Sequence, residues 1–414
     1  MDPVTNPYTP NAGARPDVLV GRDDQLASFD ILLKRLARGR AEQSMIITGL
    51  RGVGKTVLLG QFREKALAAG WAVVEYEVTK HDERAFRQAT ALKLRTALLE
   101  LAPRARWTER FRHAAAALKA FTLTVDPSGQ VRAGLDVDVV DGLADHGDLA
   151  MDLTDVLVAV GEAAHSHERG VVLLFDEVQF LAKGQLEALI MALHKTVQRG
   201  LPVTMVGAGL PQIAELAGDA KSYAERLFKF PTIGDLSEDD AHRALVEPAR
   251  MEGVEYERVA LDRAYELTGG YPYFVQELGY AVWTVAQESP ITRVDVDGAV
   301  DLYEAKLDSS FFRVRLDRAS DLQRAYLRAM AQLGPEPQKA ADVAALLHRD
   351  STQLGPTRAE LIDMGLLFTP AHGYAAFTVP HFDRFMLRAV PELVVPPLRP
   401  RRRAGGGGHD GDPA

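Results

Sequence analysis

Apolar residues in the first half of the chain follow two rhythms, and their alternation predicts the fold. Helical spacing marks Asp24–Arg38, Lys55–Ala69, Asp152–His167 and Gly184–Arg199, and Ala-rich helices fill much of 82–120. Between them lie Ser44–Thr48, Trp71–Val78, Val171–Phe175 and Val203–Val206, which read as strands. Val171–Phe175 is apolar without a break, as in a strand buried on both faces. Strands alternating with helices predict a parallel α/β sheet. One stretch departs from this. Phe121–Asp138 alternates on both sides of Asp126-Pro127-Ser128-Gly129, a hairpin signal. We read it as part of a helical and hairpin insertion over about 82–140.

The rhythm changes after residue 236. Ser237 reads as the N-cap of a helix with Glu238, Asp239 and Asp240 in its first turn. From there to Ala305 only helices are predicted. Further on, helices over Ser320–Leu333, Gln338–Leu347 and Ser351–Met364 precede a hairpin of Leu366–Thr369 and Tyr374–Val379, the order of a winged helix-turn-helix. Tyr303, Phe311 and Phe312 sit at helical positions and read as core. The expected organisation is an extended surface arm (1–17), an α/β core (18–235), a helical unit (236–305), a winged helix (306–392) and a disordered tail (393–414).

Composition narrows the function. The 414 residues are 47% hydrophobic and 25% charged, the balance of a soluble globular chain. The apolar runs are too short to span a bilayer, and Met1-Asp2-Pro3 does not open a secretory signal, so no membrane association and a cytoplasmic location are expected. The absence of cysteine excludes disulfides, zinc fingers, iron–sulfur clusters and thiol catalysis. The eleven histidines show no ligand spacing of the His-Glu-x-x-His kind, so no dedicated metal cage is expected. The net charge of −9 argues against a chain that coats nucleic acid. Residues 315–414 nevertheless carry thirteen basic and eleven acidic side chains, a net of +2, so the first 314 carry −11.

The chemistry is concentrated in two short motifs. Gly49-Leu50-Arg51-Gly52-Val53-Gly54-Lys55-Thr56 lies between a predicted strand and a predicted helix, the context of a phosphate-binding loop. Its glycines let backbone N–H groups from Gly49 to Val57 curl around a phosphate, and the helix start adds a positive dipole. Lys55 neutralises β- and γ-phosphate oxygens, and the Thr56 hydroxyl is a Mg²⁺ ligand. The second motif ends the strand Val171–Phe175 with Asp176 and Glu177, at the sheet edge where such folds bind ligands. Asp176 is read as the Mg²⁺-positioning acid and Glu177 as the residue that polarises the attacking water. Together they predict an ATPase with ATP and Mg²⁺ as its ligands.

These motifs, with Val18-Leu-Val-Gly-Arg-Asp-Asp-Gln-Leu26 ahead of the loop and Thr268-Gly-Gly-Tyr-Pro-Tyr273 in the helical unit, resemble the AAA+/STAND P-loop ATPases. The likeness is to bacterial origin-recognition-like AAA proteins with a C-terminal winged helix. It implies a P-loop NTPase core, an α-helical lid and a winged helix, working as an ATP-driven switch, and the two departures below favour slow turnover. It also implies that Val20, Gly21 and Arg22 line the adenine side, and that Gly270 and Pro272 press the lid onto base or ribose. Their plain alternatives are a turn before a helix and a helix corner. Arg226 looks like the catalytic arginine some relatives insert into a neighbour's site, which implies self-association; the alternative is a solvent-facing arginine. Two features depart from the pattern. No polar sensor residue is evident in Gly207-Ala-Gly209-Leu-Pro211, and no arginine sensor is evident near Tyr271 and Pro272.

The winged helix leaves two readings open. Ser351, Thr352, Gln353, Thr357 and Arg358 are polar residues suited to a major groove, with Arg349 beside them for phosphate. Yet residues 315–392 balance nine basic against nine acidic side chains, and the turn Ala371-His372-Gly373 lacks an arginine or lysine. DNA binding and a protein-interaction or autoinhibitory role both fit. A nucleotide-binding scaffold with little turnover is a further alternative for the whole chain.

Overall fold

The fold is that of a computed structural model, which describes residues 1–11, 13–79, 82–123, 137–138 and 140–397. The chain divides into two compact units, Met1–Leu307 and Asp308–Ala414.

In the first unit, in chain order, the elements are α1 (Asp23–Ala37), β1 (Ser44–Thr48), α2 (Lys55–Ala68), β2 (Ala72–Glu77), α3 (Glu83–Leu101), α4 (Glu109–Leu123), α5 (Leu149–His165), β3 (Val171–Asp176), α6 (Lys183–Gln198), β4 (Val203–Gly209), α7 (Ile213–Ala220), α8 (Ala224–Leu227) and β5 (Phe228–Lys229). The helical lid follows as α9 (Glu238–Met251), α10 (Arg258–Thr268), α11 (Pro272–Val285) and α12 (Arg293–Lys306). The strands form one parallel sheet of order β2-β3-β4-β1-β5. Burial follows from this order. β1 and β4 are buried along their length and β3 as far as Phe175, as their unbroken apolar runs predict. β2 lies at the edge and alternates buried with more exposed positions. The predicted helices and strands recur within a few residues at each end. The hairpin expected around Asp126–Gly129 lies outside the described residues, as does most of the tail.

A buried ion pair ties the helical insertion to the core. Arg87 of α3 is fully buried and donates Nη1 to Asp152 of α5 at 2.7 Å and Nε to Glu83 at 2.9 Å. The other Asp152 oxygen accepts the His146 amide at 2.8 Å. Removing one partner of such a pair leaves a buried charge, a loss of about 3–5 kcal/mol.

The N-terminal arm differs from the expected surface strap. Tyr8 is 1% exposed. Its hydroxyl lies 2.6 Å from the Leu245 carbonyl and 2.9 Å from the Tyr256 hydroxyl. Trp283 Nε1 donates to the Asp2 carbonyl at 2.9 Å. The arm is thus seated in the lid, held by one aromatic anchor that proline-rich composition concealed. Farther along, Arg15 Nη1 donates to both carboxylate oxygens of Glu64 of α2, each at 2.8 Å, so the arm runs from lid to core.

In the second unit, α13 (Arg313–Leu316), α14 (Asp321–Leu333), β6 (Gln338–Lys339), α15 (Ala340–Leu346), α16 (Ser351–Asp363), β7 (Leu367–Phe368), β8 (Tyr374–Phe377) and α17 (Phe382–Ala389) follow one another. The strands pair antiparallel in the order β6-β8-β7, which gives the three helices and wing hairpin of a winged helix. The stretch expected as one helix, Gln338–Leu347, begins instead as the short strand β6, because Gln338 and Lys339 pair with the wing. Helix α17 packs Phe382 and Phe385 against the buried Phe312. Phe311 and Tyr303 are buried too, as expected for core.

Candidate nucleotide-binding site

The carboxyl ends of β1 and β3 carry the two motifs. They lie on either side of β4, so the sheet order itself brings them together. β1 passes directly into the glycine-rich loop, which ends at Gly54. Gly54 has φ +91 and is the N-cap of α2, with no side-chain cap bond. A left-handed φ at this turn suits glycine, and the uncapped helix start leaves N–H groups for an anion.

Lys55 lies inside the loop. Its Nζ donates to the carbonyls of Gly49 at 2.9 Å and Leu50 at 2.7 Å. These carbonyls stand where phosphate oxygens would otherwise neutralise it. The side chain is buried, and burial lowers its pKa to about 8; Glu177 and Asp176 pull it upward, and Arg51 lowers it further.

The Thr56 hydroxyl donates to Asp176 Oδ2 at 2.6 Å. A hydroxyl and a carboxylate in contact are hard oxygen donors of the kind Mg²⁺ prefers, so this pair fits the cation. Burial pushes the Asp176 pKa up; the Thr56 bond opposes it, and Glu177 adds to it. Asp176 Oδ1 also accepts the Glu177 amide at 2.9 Å. Glu177 has φ +56, in the left-handed region that costs a non-glycine residue about 1–2 kcal/mol.

A residue the sequence reading did not single out completes this side. Gln179 donates its amide to Glu177 Oε2, and its carbonyl accepts the Leu210 amide at 3.1 Å. Gln179 thereby joins Glu177 to the exit of β4, the place where no polar sensor residue was evident. The signal available in the sequence was an amide side chain two positions beyond the acid pair.

The remaining residues divide. Arg22 is 7% exposed and donates to the carbonyls of Val53 at 3.1 Å and Gly234 at 2.7 Å, linking the loop to the segment before the lid. Burial lowers its pKa, against Asp240 and Asp235. Val20 is buried, and Gly21 lies beside Asp240 of α9. Gly270 has φ +73, and a Cβ there would sit 2.3 Å from the Leu236 carbonyl. Pro272 opens α11, and the next residue, Tyr273, donates its amide to the Gly52 carbonyl at 3.2 Å. The lid thus rests on the phosphate loop through Tyr273, another residue not singled out. Arg226 lies elsewhere. It is exposed on α8, just before Phe228, which pairs with Ser44 at the start of β1, the sheet edge opposite the loop. The five residues of β1 put roughly 15 Å between those edges, so Arg226 does not reach this chain's own site.

Comparison with known proteins agrees with this geometry. The AAA ATPase domain family matches residues 18–206, and a domain of unknown function, DUF8462, matches residues 309–386. No curated protein matches the sequence. Among solved structures, the chain is similar to a Walker-type ATPase of Pyrococcus abyssi, at 15% identity and a TM-score of 0.52 over 90% of this chain and 97% of that one. It is also similar to the Orc1 protein of Aeropyrum pernix, solved in complex with DNA (16% identity, TM-score 0.45, 91% and 94% covered). A third is the RuvB Holliday junction branch migration motor of Thermotoga maritima (16% identity, TM-score 0.46, 88% and 96% covered). Among the described residues no helix is long and apolar enough to cross a membrane. Residues 18–206, which join the phosphate loop to the Asp176-Glu177 strand in one parallel sheet, are the part of the chain that matches the AAA ATPase domain family.

Proposed function

We propose that the chain is a Mg²⁺-dependent ATPase that works as a switch, with core 18–235, lid 236–305 and winged helix 306–392 as its working parts. The observation that carries this reading is the convergence of Lys55, Thr56, Asp176 and Glu177 on one loop, under a lid that touches that loop at Gly52. The Gly49 amide donates to the Gly209 carbonyl at 3.2 Å, so amides from Leu50 to Val57 would hold the β-phosphate, and Lys55 would leave its carbonyl partners for phosphate oxygens. Thr56 and Asp176 would hold Mg²⁺, which supplies charge neutralisation on the phosphates. Glu177 would accept a hydrogen bond from the attacking water and orient it, with Gln179 fixing the Glu177 carboxylate. Phosphate bound at the loop would press against the segment that contacts Tyr273, which gives lid and core a shared surface whose fit depends on nucleotide. Arg226, exposed and remote from its own site, would act only in a neighbouring copy.

The test is ATP turnover by the full chain. Glu177→Gln removes the base while keeping size and shape, so turnover should fall by about 10²–10⁴ with nucleotide still bound. Unchanged turnover removes Glu177 from this role.

For the winged helix, exposed Ser351, Thr352 and Gln353 at the start of α16 support DNA as the partner. A second reading, protein contact, is favoured by Thr357, which is buried and cannot read a base, and by Gln353, which turns back to accept the Asp350 amide at 3.4 Å. Gel-shift titration with and without ATP, at two salt concentrations, separates the two.

A further inference from the structure

Away from the nucleotide site, α9 and α10 bring three metal-ligating side chains together. Glu238 and His242 are four residues apart in α9 and leave the same helix face. Asp262 faces them from α10. One ligand atom from each lies within 4.8 Å of the other two. His242 is the unusual member. Its side chain is 8% exposed, and neither ring nitrogen has a hydrogen-bond partner. Nε2 stops 3.7 Å from Asp262 Oδ1, too far for a hydrogen bond. Buried polar groups are almost always satisfied, so an imidazole left bare beside two carboxylates calls for a ligand.

We propose that Glu238, His242 and Asp262 form a transition-metal site that takes Zn²⁺. One imidazole nitrogen and two carboxylates are a donor set for a borderline cation, and the imidazole disfavours Mg²⁺ and Ca²⁺. Three protein ligands leave a coordination position for water. Arg258 bridges the two carboxylates: Nη2 lies 2.7 Å from Glu238 Oε1 and Nε 2.8 Å from Asp262 Oδ1, the place a cation would take. Arg258 is 64% exposed, and such surface pairs contribute little, so a divalent ion displaces it at small cost. The metal would staple the first two lid helices together. Short-range motif spacing does not reveal such a site, because its third ligand comes from a different helix.

The test titrates the full-length, nucleotide-free chain with Zn²⁺ against a competing chromophoric chelator. One Zn²⁺ per chain should be withdrawn from the chelator, and Zn²⁺ should raise the melting temperature. His242→Ala and Asp262→Asn should each weaken affinity by about tenfold or more. Arg258→Gln should tighten it by removing the internal competitor. His372→Ala, at the wing, should change nothing. Asp262 is half-exposed, so its variant keeps the test meaningful if His242→Ala misfolds. No saturable binding by the parent overturns the proposal. So does parent-like affinity in a folded Asp262→Asn, or weaker binding in Arg258→Gln.

Discussion

Two helix starts, those of α2 and α16, offer opposite settings to an approaching phosphate. α2 starts at Gly54 with no side-chain cap and with Lys55 as its first residue. Its N–H groups are available and its first side chain is a cation. α16 starts after Asp350, and Gln353 spends its side chain on the Asp350 amide. There one backbone N–H, that of Asp350, has a side-chain partner, and the N-cap is an anion. Neither helix start has a side-chain cap bond, so charge separates them: Lys55 draws an anion to α2, and the Asp350 carboxylate opposes one at α16.

The strongest way to break this contrast is at α2. Lys55→Ala removes a side-chain cation held between two loop carbonyls, and truncating a buried charged contact of this kind costs about 2–5 kcal/mol. ATP affinity, followed with a fluorescent nucleotide, should fall about 100-fold or more. Parent-like affinity would mean that phosphate is bound elsewhere.

Gln179 sharpens the contrast on the acidic side. It touches Glu177 rather than substrate, so it is a positioning residue. Gln179→Ala should lower kcat by about tenfold or more and leave KM nearly unchanged, because only the orientation of Glu177 is lost. Gln179→Asn, which keeps the amide on a shorter arm, should recover part of the rate. Equal losses in kcat and ATP affinity would indicate a merely structural role.

Proton linkage gives a further check. With its pKa lowered to about 8 by burial, Lys55 is protonated below that pH and neutral above it. Bound phosphate favours the protonated form and raises the pKa. ATP affinity should therefore be flat below about pH 7 and fall above about pH 8, by roughly tenfold per unit at most. A flat profile through pH 9 would place the lysine pKa near its ordinary value.

How much of this was legible in the sequence depends on distance along the chain. The phosphate loop and acid pair are each contiguous, and the flanking apolar runs fix strand, helix and sheet edge. Gln179 was missed because one of its partners is the Leu210 amide, 31 residues away. Tyr8 was missed because its pocket is built from Leu245, Tyr256 and Trp283, far along the chain. Thr357 was misread for a different reason. It lies three residues after Leu354 and four before Leu361, on the stripe those two buried leucines define, so helical phase alone already turns it inward.

The smallest expected effect lies at α16. Asp350 sets a carboxylate at the helix end that would meet a DNA phosphate, and a charge at that position is worth about 0.3–1 kcal/mol. Asp350→Asn keeps an N-cap residue and removes the charge. If the winged helix docks duplex DNA through α16, this variant should bind about two- to fivefold tighter at low salt, with the gain shrinking as salt rises. The parent should show a shallow salt slope, because residues 315–392 balance nine cations with nine anions and offer few unopposed cations to release counterions. If neither chain shifts duplex at low salt, the anionic start of α16 belongs to a surface that meets protein, and ATP-dependent change at that surface becomes the output to measure.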